Sequence, residues 1–310
     1  MHPAFSILFF TTLAGAAQGL ATLLAIAALM RFNMSSTFLL VALAVAEVLL
    51  LAGLAASFLH LGHKMRAWRA VLMWRTSWMS REVILLPAFI GLVGIWWLTL
   101  YLELSALWVG VMPVVIVLGS FALWYCTAMI YASLRFIEEW ANKLTIVNFT
   151  LIGLSSGMVL ACALAPLAGQ SEFSQAFGAA TLVLVLLAWT MRAMALRRNT
   201  LLRHKSTLQS ATGIESMKLV QKSMGMSAGA FNTREFFHGA SDMAVKNVRQ
   251  GFQLFGFALP AVCLVWGLTF GGTLPWVLAL VFQAPGLLAE RWYFFAQAKH
   301  PQNLYYQTVS

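Results

Sequence analysis

The sequence predicts an all-α, polytopic membrane protein with eight transmembrane helices arranged as two four-helix bundles. Of its 310 residues, 61% are hydrophobic and only 10% are charged, whereas soluble domains carry roughly 25% charged residues. Long stretches without Asp, Glu, Lys or Arg can each hold a helix of the roughly 20 residues that cross the hydrocarbon core. Alternating strands of about 10 residues, typical of an outer-membrane barrel, are not seen. A soluble domain is therefore excluded.

The eight spans follow from these uncharged stretches. The first is too long for the core of a signal peptide and residues 1–5 contain no Lys or Arg, so we expect it to remain in the mature protein. The last stretch, 250–289, is divided into two helices by Gly271, Gly272 and Pro275. We predict a single membrane domain, 1–310, with spans at residues 4–30, 37–60, 82–102, 108–134, 144–166, 174–196, 250–270 and 274–296.

Positive charge is concentrated on one side of the predicted bundle. The formal net charge of +10 favours an anionic membrane surface or an acidic protein partner, and the high apolar content disfavours nucleic acid. We define side A as the side that holds both termini and the connections after the second, fourth and sixth spans. Every Lys and Arg except Arg31 lies on side A. Because positively charged flanks resist translocation, we expect a bacterial inner-membrane protein with both termini in the cytoplasm.

Side A also carries the two long polar connections, 60–82 and 197–249. The second is a basic loop that mixes small, flexible and aromatic residues. A basic surface can steer an acidic partner into place, and Arg69, Lys222 and Arg234 are the residues we expect to contribute. Binding of lipid headgroups, or disorder, is the alternative interpretation of the basic loop.

The first polar connection contains the strongest candidates for chemistry. His60 closes the second span and Glu82 opens the third, with Arg66 between them, so all three side chains can share one pocket at the side-A interface. An imidazole can donate a hydrogen bond to a quinone carbonyl, and a carboxylate can pass the accompanying proton to water. The alternative is an interfacial His60 and a first-turn Glu82 stabilised by the helix dipole.

Two further acidic positions lie within predicted spans. Glu47 stands alone in the middle of the second span, where an ionisable group is costly. It is a candidate proton-relay or quinone-channel residue, with structural hydrogen bonding to a neighbouring helix as the equal alternative. Near the end of the eighth span, Glu290 and Arg291 are adjacent, and we expect Arg291 to extend to the interface.

No resident metal or haem is predicted in this chain. The three Cys are scattered without a C-x-x-C pair, which gives no support for an iron-sulfur cluster. None of the six His falls in the middle of a span, which disfavours haem. Nucleotide-binding and hydrolase motifs are also not seen. The expected ligand is an exchangeable quinone, either ubiquinone or menaquinone.

Several segments resemble the membrane anchor subunits of the dimethyl sulfoxide reductase family. The most specific are residues 57–68 (SFLHLGHKMRAW) with SRE at 80–82, and the C-terminal ERWYFFA at 290–296 with HPQNLYY at 300–306. Residues 128–135 (AMIYASLR), followed by Glu139 and Trp140, add to the similarity. The likeness runs from about residue 50 to the C-terminus.

This resemblance implies one subunit of a three-part respiratory complex. In that family a catalytic subunit carries molybdopterin, a ferredoxin-like subunit carries iron-sulfur clusters, and the anchor exchanges electrons with quinone without haem. The family's quinol-site His and Glu correspond to His60 and Glu82. Glu47 has no counterpart in the motif, and His63 and Lys64 replace smaller residues.

The charge distribution favours one branch of the family. If side A is cytoplasmic, the catalytic subunits are cytoplasmic too, as in the sulfite dehydrogenases of sulfur-oxidising bacteria, where electrons run from sulfite to quinone. The alternative is quinol oxidation that feeds a dimethyl sulfoxide or related reductase. Two other classes remain: a secondary transporter with proton coupling at Glu47, for which no internal repeat is found, and a purely structural anchor.

Overall fold

The computed structural model describes residues 3–59, 61–104, 106–203, 205–220 and 238–301, with only the backbone described for 106–109. Within these ranges the chain is helical and has no strand. The α-helices are α1 Phe5–Leu29, α2 Ser36–Leu59, α3 Trp78–Tyr101, α4 Ala106–Ala132, α5 Lys143–Leu167, α6 Ser171–Thr200, α7 Leu208–Thr212, α8 Asp242–Gln253, α9 Leu259–Phe270 and α10 Leu274–Ala296. A 3₁₀ helix, Lys64–Met73, lies between α2 and α3.

Seven helices in the described part of the chain are long and apolar enough to cross a membrane, which confirms an all-α, multi-pass membrane protein. They are α1 to α6 and a continuous helix, Asp242–Phe270, that joins α8 to α9. Helix α10 has 23 residues, but it carries Gln283, Glu290 and Arg291 and is not one of the seven. The predicted eighth span, 274–296, thus coincides with a helix in the structure but is not confirmed as a membrane span.

The seventh spanning helix, which consists of α8 and α9, begins earlier in the chain than the sequence indicated. It starts at Asp242, inside the predicted basic loop 197–249, because Ser241 caps it by accepting a hydrogen bond from Ala244 N at 3.3 Å. The α8–α9 junction is a π-helical turn, Leu254–Ala258, in which Leu259 N–H donates to Leu254 O. Pro260 follows and has no N–H to donate, so the regular α-helical bonding is already interrupted there.

By their contacts the helices fall into two sets of four, although the most extensive contact of all joins α1 of one set to α5 of the other. In the first set α1 contacts α2, α2 contacts α3, α3 contacts α4, and α4 returns to α1. In the second set α5, α6, α9 and α10 contact one another in the same cyclic order. The sets meet mainly along α1 and α5. Residues on this boundary are therefore buried between two groups of helices.

Glycines allow α1 and α5 to approach closely. Gly15 and Gly19 on α1 face Gly153 and Gly157 on α5, and a Cβ placed on Gly15 would lie 3.6 Å from Gly153 Cα. A Cβ on Gly157 would clash with the backbone of α1 at Gly19 and Leu20. Each helix thus carries a G-x-x-x-G pattern, which lets membrane helices pack backbone against backbone.

Candidate functional site

Helices α3 and α4 hold the Glu82 carboxyl in the protein interior. Glu82 lies in the second turn of α3 and is only 7% exposed. The Thr127 hydroxyl of α4 donates a hydrogen bond to Glu82 Oε1. The N-terminus of α3 is capped by Ser77, which accepts from Ser80 N at 3.3 Å. Glu82 is therefore paired with a neighbouring helix, unlike the first-turn carboxylate of the alternative interpretation.

Thr127 also lines a small internal cavity, which we call the Trp124 cavity. Its walls come from α1, α3, α4, α5 and α10, and it has about 20 Å³ of space for the centres of water molecules. The lining residues lie between the side-A ends and the middles of these helices, so the cavity is in the half of the bundle nearer side A. The lining residues are Phe10, Thr11, Thr12, Ala14, Gly15, Gln18, Leu86, Leu123, Trp124, Thr127, Phe149, Ile152, Gly153, Ser156, Leu287 and Arg291.

Several polar atoms of this cavity lack partners. Thr12 Oγ1, Gln18 Oε1 and Trp124 Nε1 are buried and have no hydrogen-bond partner among the described residues. A buried polar group without a hydrogen-bond partner lowers the stability of the folded protein by about 1–3 kcal/mol. Three such groups around one cavity therefore favour binding of a polar ligand there. The space is smaller than a quinone ring. Binding of such a ring therefore requires neighbouring side chains to move.

A buried ion cluster adjoins the Trp124 cavity. Arg192 Nε of α6 lies 2.6 Å from Glu290 Oε1 of α10, and Arg291 Nε lies 3.0 Å from Glu290 Oε2. All three residues are at most 4% exposed. The expectation that Arg291 extends to the membrane interface is wrong, because its guanidinium lies 4.1 Å from the centroid of the Phe149 ring inside the bundle.

The ion cluster borders a second cavity, which we call the Glu290 cavity. It has about 10 Å³ of space for water centres and contains Glu139, Asn148 and Arg198 in its walls as well as the cluster. Arg192 Nη2 and Asn148 Oδ1 have no hydrogen-bond partner among the described residues. Phe149 and Arg291 line both cavities and so form the partition between them.

Glu47 lies apart from these cavities. It is half-buried in the middle of α2 and its Oε1 is 3.6 Å from where a Gly94 Cβ would be. Its Oε2 has no hydrogen-bond partner in the described part of the chain. Gly94 follows Glu82 by twelve residues on α3, which corresponds to roughly 18 Å along the helix. The structure does not bring Glu47 and Glu82 together.

The 3₁₀ helix carries two of the other predicted residues, Arg66 and Arg69. Both are exposed, and no residue of this helix is buried. Arg81 ties the end of the segment to α3, because its guanidinium donates to Trp74 O at 2.9 Å and to Arg75 O at 2.8 Å. His60, Lys222 and Arg234 lie outside the described residues.

Several residues of the two cavities were not predicted from the sequence. Gln18 and Arg192 fall inside predicted spans, and the rule that polar residues in membrane helices mark functional sites would have identified them. Thr127 and Trp124 carry no such signal, since both residue types are common in membrane helices. No group of three His, Cys, Asp or Glu side chains in the described ranges could hold a metal ion.

The fold and the site define a multi-pass membrane protein with a buried carboxyl beside a cavity that contains unpartnered polar atoms. Residues 1–221 match the DMSO reductase anchor subunit (DmsC) family, and the chain belongs to this family. The chain is also similar to a subunit of the sulfite dehydrogenase of Allochromatium vinosum, with 44% identity over the full length of both chains. The resemblance seen in the sequence motifs is confirmed, and the family match extends it to the N-terminus.

Proposed function

We propose that this chain is the quinone-reactive membrane anchor of a molybdopterin oxidoreductase complex, and that it passes electrons between the quinone pool and an iron-sulfur subunit. The observation that carries this proposal is the buried Glu82 carboxyl, which accepts a hydrogen bond from Thr127, a residue in the wall of the Trp124 cavity. Family membership supports the anchor role, and the Trp124 cavity offers unpartnered polar atoms to a quinone ring once the neighbouring side chains move to admit it.

Quinone reduction consumes two electrons and two protons, so the site needs a group that exchanges protons with water. Glu82 is this group in our proposal, and the Thr127 hydroxyl links it to the cavity. His60 would bind a quinone carbonyl from the connection between α2 and α3, with Arg66 beside it at the interface. Trp124 and Gln18 offer further polar atoms to the ring.

The membrane arrangement we propose has eight spans in two four-helix bundles, with α10 as the eighth. Pairing of Glu290 with Arg192 and Arg291 inside the protein removes the main objection to α10, because these charges do not face lipid. Both termini and side A are placed in the cytoplasm of a bacterium, with the chain in its inner membrane, since nearly all positive charge lies on side A.

The proposed partners are a ferredoxin-like iron-sulfur subunit and a molybdopterin catalytic subunit, docked on side A. Arg69 is exposed there, and Lys222 and Arg234 of the basic loop add positive charge. The full-length similarity to the sulfite dehydrogenase protein favours electron flow from sulfite to quinone over the reverse flow to a dimethyl sulfoxide reductase. The molybdenum and iron-sulfur cofactors belong to the partners, and quinone is an exchangeable substrate.

Substitution of Glu82→Gln tests this proposal. The variant keeps the side-chain volume and can still accept from Thr127, but it cannot exchange a proton. We expect quinone-coupled turnover of the assembled complex to fall about 100-fold or more, while activity with an artificial acceptor at the catalytic subunit is retained. The matched control is Glu103→Gln, an exposed carboxyl in the turn between α3 and α4. Unchanged quinone coupling in Glu82→Gln would contradict the proposal.

A further inference from the structure

The Arg192–Glu290–Arg291 cluster holds ionised groups in a rigid arrangement inside the bundle. Glu290 is 1% exposed, Arg192 2% and Arg291 4%. Glu290 uses both carboxylate oxygens, one toward each guanidinium. Aromatic rings cover both cations, with Arg192 5.7 Å from the Phe252 centroid and Arg291 4.1 Å from the Phe149 centroid. The charges are thus fixed in place before any ligand binds.

This region carries an excess of positive charge. The described walls of the Glu290 cavity contain three arginines and two glutamates, namely Arg192, Arg198, Arg291, Glu139 and Glu290. Because guanidinium groups stay protonated in proteins, one positive charge is left over when both carboxyls are ionised. Water has little access to the cluster, so this charge is screened less than it would be at the surface.

The excess charge is directed at the Trp124 cavity through Arg291. Arg291 lines both cavities and is the one charged side chain among the described residues that line the Trp124 cavity. The neighbouring Trp124 Nε1 is a donor without a partner in the described part of the chain. A cation and an unpaired hydrogen-bond donor together favour a ligand that carries an oxygen atom on which negative charge develops.

Building on the proposed function, we infer that this cluster stabilises the negative charge that a quinone oxygen in the Trp124 cavity acquires with the first electron. The iron-sulfur partner supplies electrons singly. The first converts the quinone to its radical anion, and the second electron with two protons completes the quinol. Arg291 acts on the ring directly, whereas Glu290 and Arg192 are positioning residues that hold its guanidinium. Such preorganised charge costs no reorganisation when the electron arrives.

Two substitutions that change the charge of the cluster in opposite directions distinguish electrostatic stabilisation from structural support. Arg291→Gln removes a positive charge from the cluster, and Glu290→Gln removes a negative one. In the purified complex loaded with a ubiquinone analogue, redox titration monitored by electron paramagnetic resonance gives the equilibrium constant for one-electron reduction of the bound quinone. We expect this constant to fall at least about tenfold, ~59 mV, in Arg291→Gln and to rise at least about tenfold in Glu290→Gln.

Further variants cover the case in which a buried substitution prevents folding. Arg198→Gln removes a positive charge from the half-buried rim of the Glu290 cavity, and we expect a smaller decrease in the same constant. Arg291→Lys retains the charge and should restore most of the wild-type value. Assembly is checked for every variant by artificial-acceptor activity of the membrane-bound catalytic subunit.

The outcomes separate this inference from the proposed function. Equal constants in the wild type and the charge variants, or shifts of Arg291→Gln and Glu290→Gln in the same direction, would overturn the inference while quinone reduction by the wild type still stands. A wild-type complex that neither binds nor reduces quinone would overturn the proposed function itself. Opposite shifts, with partial restoration by Arg291→Lys, would support both.

Discussion

Two buried tryptophans show how a residue of the candidate site differs from a residue of the core. Trp96 of α3 is 1% exposed and Trp124 of α4 is 2% exposed, and neither indole N–H has a hydrogen-bond partner among the described residues. Only Trp124 lines the cavity. Its free donor is therefore available to a ligand, whereas the Trp96 donor is enclosed by apolar packing.

Replacement of Trp124 by Phe tests this difference. Phe keeps an aromatic ring but removes the N–H, so a hydrogen bond of about 1–1.5 kcal/mol to a quinone carbonyl is lost and KM for quinone should rise about tenfold. Trp96→Phe removes an equally unpartnered donor away from the cavity and serves as the control, with KM unchanged. Steady-state kinetics at varied quinone concentration measure both. Equal KM values in the two variants would argue against quinone binding at Trp124.

Of the hydrogen-bonded pair Glu82 and Thr127, only Glu82 could be identified from the sequence. Glu82 could be selected because a carboxyl at the start of a span is conspicuous, whereas Thr127 could not. Threonines in helices commonly bond their own backbone, as Thr22 does to Gln18 O at 2.7 Å and Thr99 to Trp96 O at 2.8 Å. That Thr127 bonds Glu82 instead depends on the packing of α3 against α4, which no local pattern in the sequence encodes.

Among the helices, α1 and α5 determine where the cavity can exist. Both contribute walls to the Trp124 cavity, and their glycine contact lies immediately beside it. The Trp124 indole packs against Gly153, where a Cβ would clash with Nε1. The close crossing of the two helices therefore positions both the indole and the polar residues Thr12 and Gln18.

Substitution of Gly157→Ala should force α1 and α5 apart. The added methyl group clashes with backbone atoms of Gly19 and Leu20, which cannot rotate away as a side chain would. Overpacking of this kind costs about 1–3 kcal/mol, so we expect Tm of the detergent-solubilised chain to fall by at least about 3 °C. Gly91→Ala on α3 is the control, because nothing lies within 4 Å of its added Cβ. A wild-type Tm for Gly157→Ala would contradict the backbone contact.

The helices themselves were largely predictable, whereas their contacts were not. Uncharged stretches indicated where helices lie because lipid tolerates few charges. Helix α8 was assigned to a loop because its own residues, DMAVKNVRQGFQ, are polar and only its capping and its continuation into α9 make it helical. The G-x-x-x-G patterns at 15–19 and 153–157 are visible in the sequence, but their pairing depends on the fold.

In the whole molecule, two sets of helices enclose the site at their boundary. The Trp124 cavity takes walls from α1, α3 and α4 of one set and from α5 and α10 of the other. The first set supplies the Glu82 carboxyl and the second supplies the ion cluster. In the proposed function, proton exchange thus belongs to one set of helices and charge stabilisation to the other, with the quinone ring between them.

The sequence indicated the side of the bundle toward which the candidate site lies, but not all of the residues that form it. Positive residues and the motif around Glu82 both lie on side A, and the cavity lies toward that side as well. The ion cluster joins Arg192 and Glu290, which are nearly a hundred residues apart in the chain. Such long-range pairs are a property of the assembled bundle.

Quinone reduction by the complete complex is the most direct test of our central claim. The purified assembly of this chain with its iron-sulfur and molybdopterin subunits is placed in proteoliposomes that contain ubiquinone, and reduction is followed after sulfite is added. We predict sulfite-dependent quinone reduction that is lost when this chain is omitted, while the two partner subunits still reduce an artificial acceptor. Quinone reduction at an equal rate without this chain, or none with it, would contradict the account.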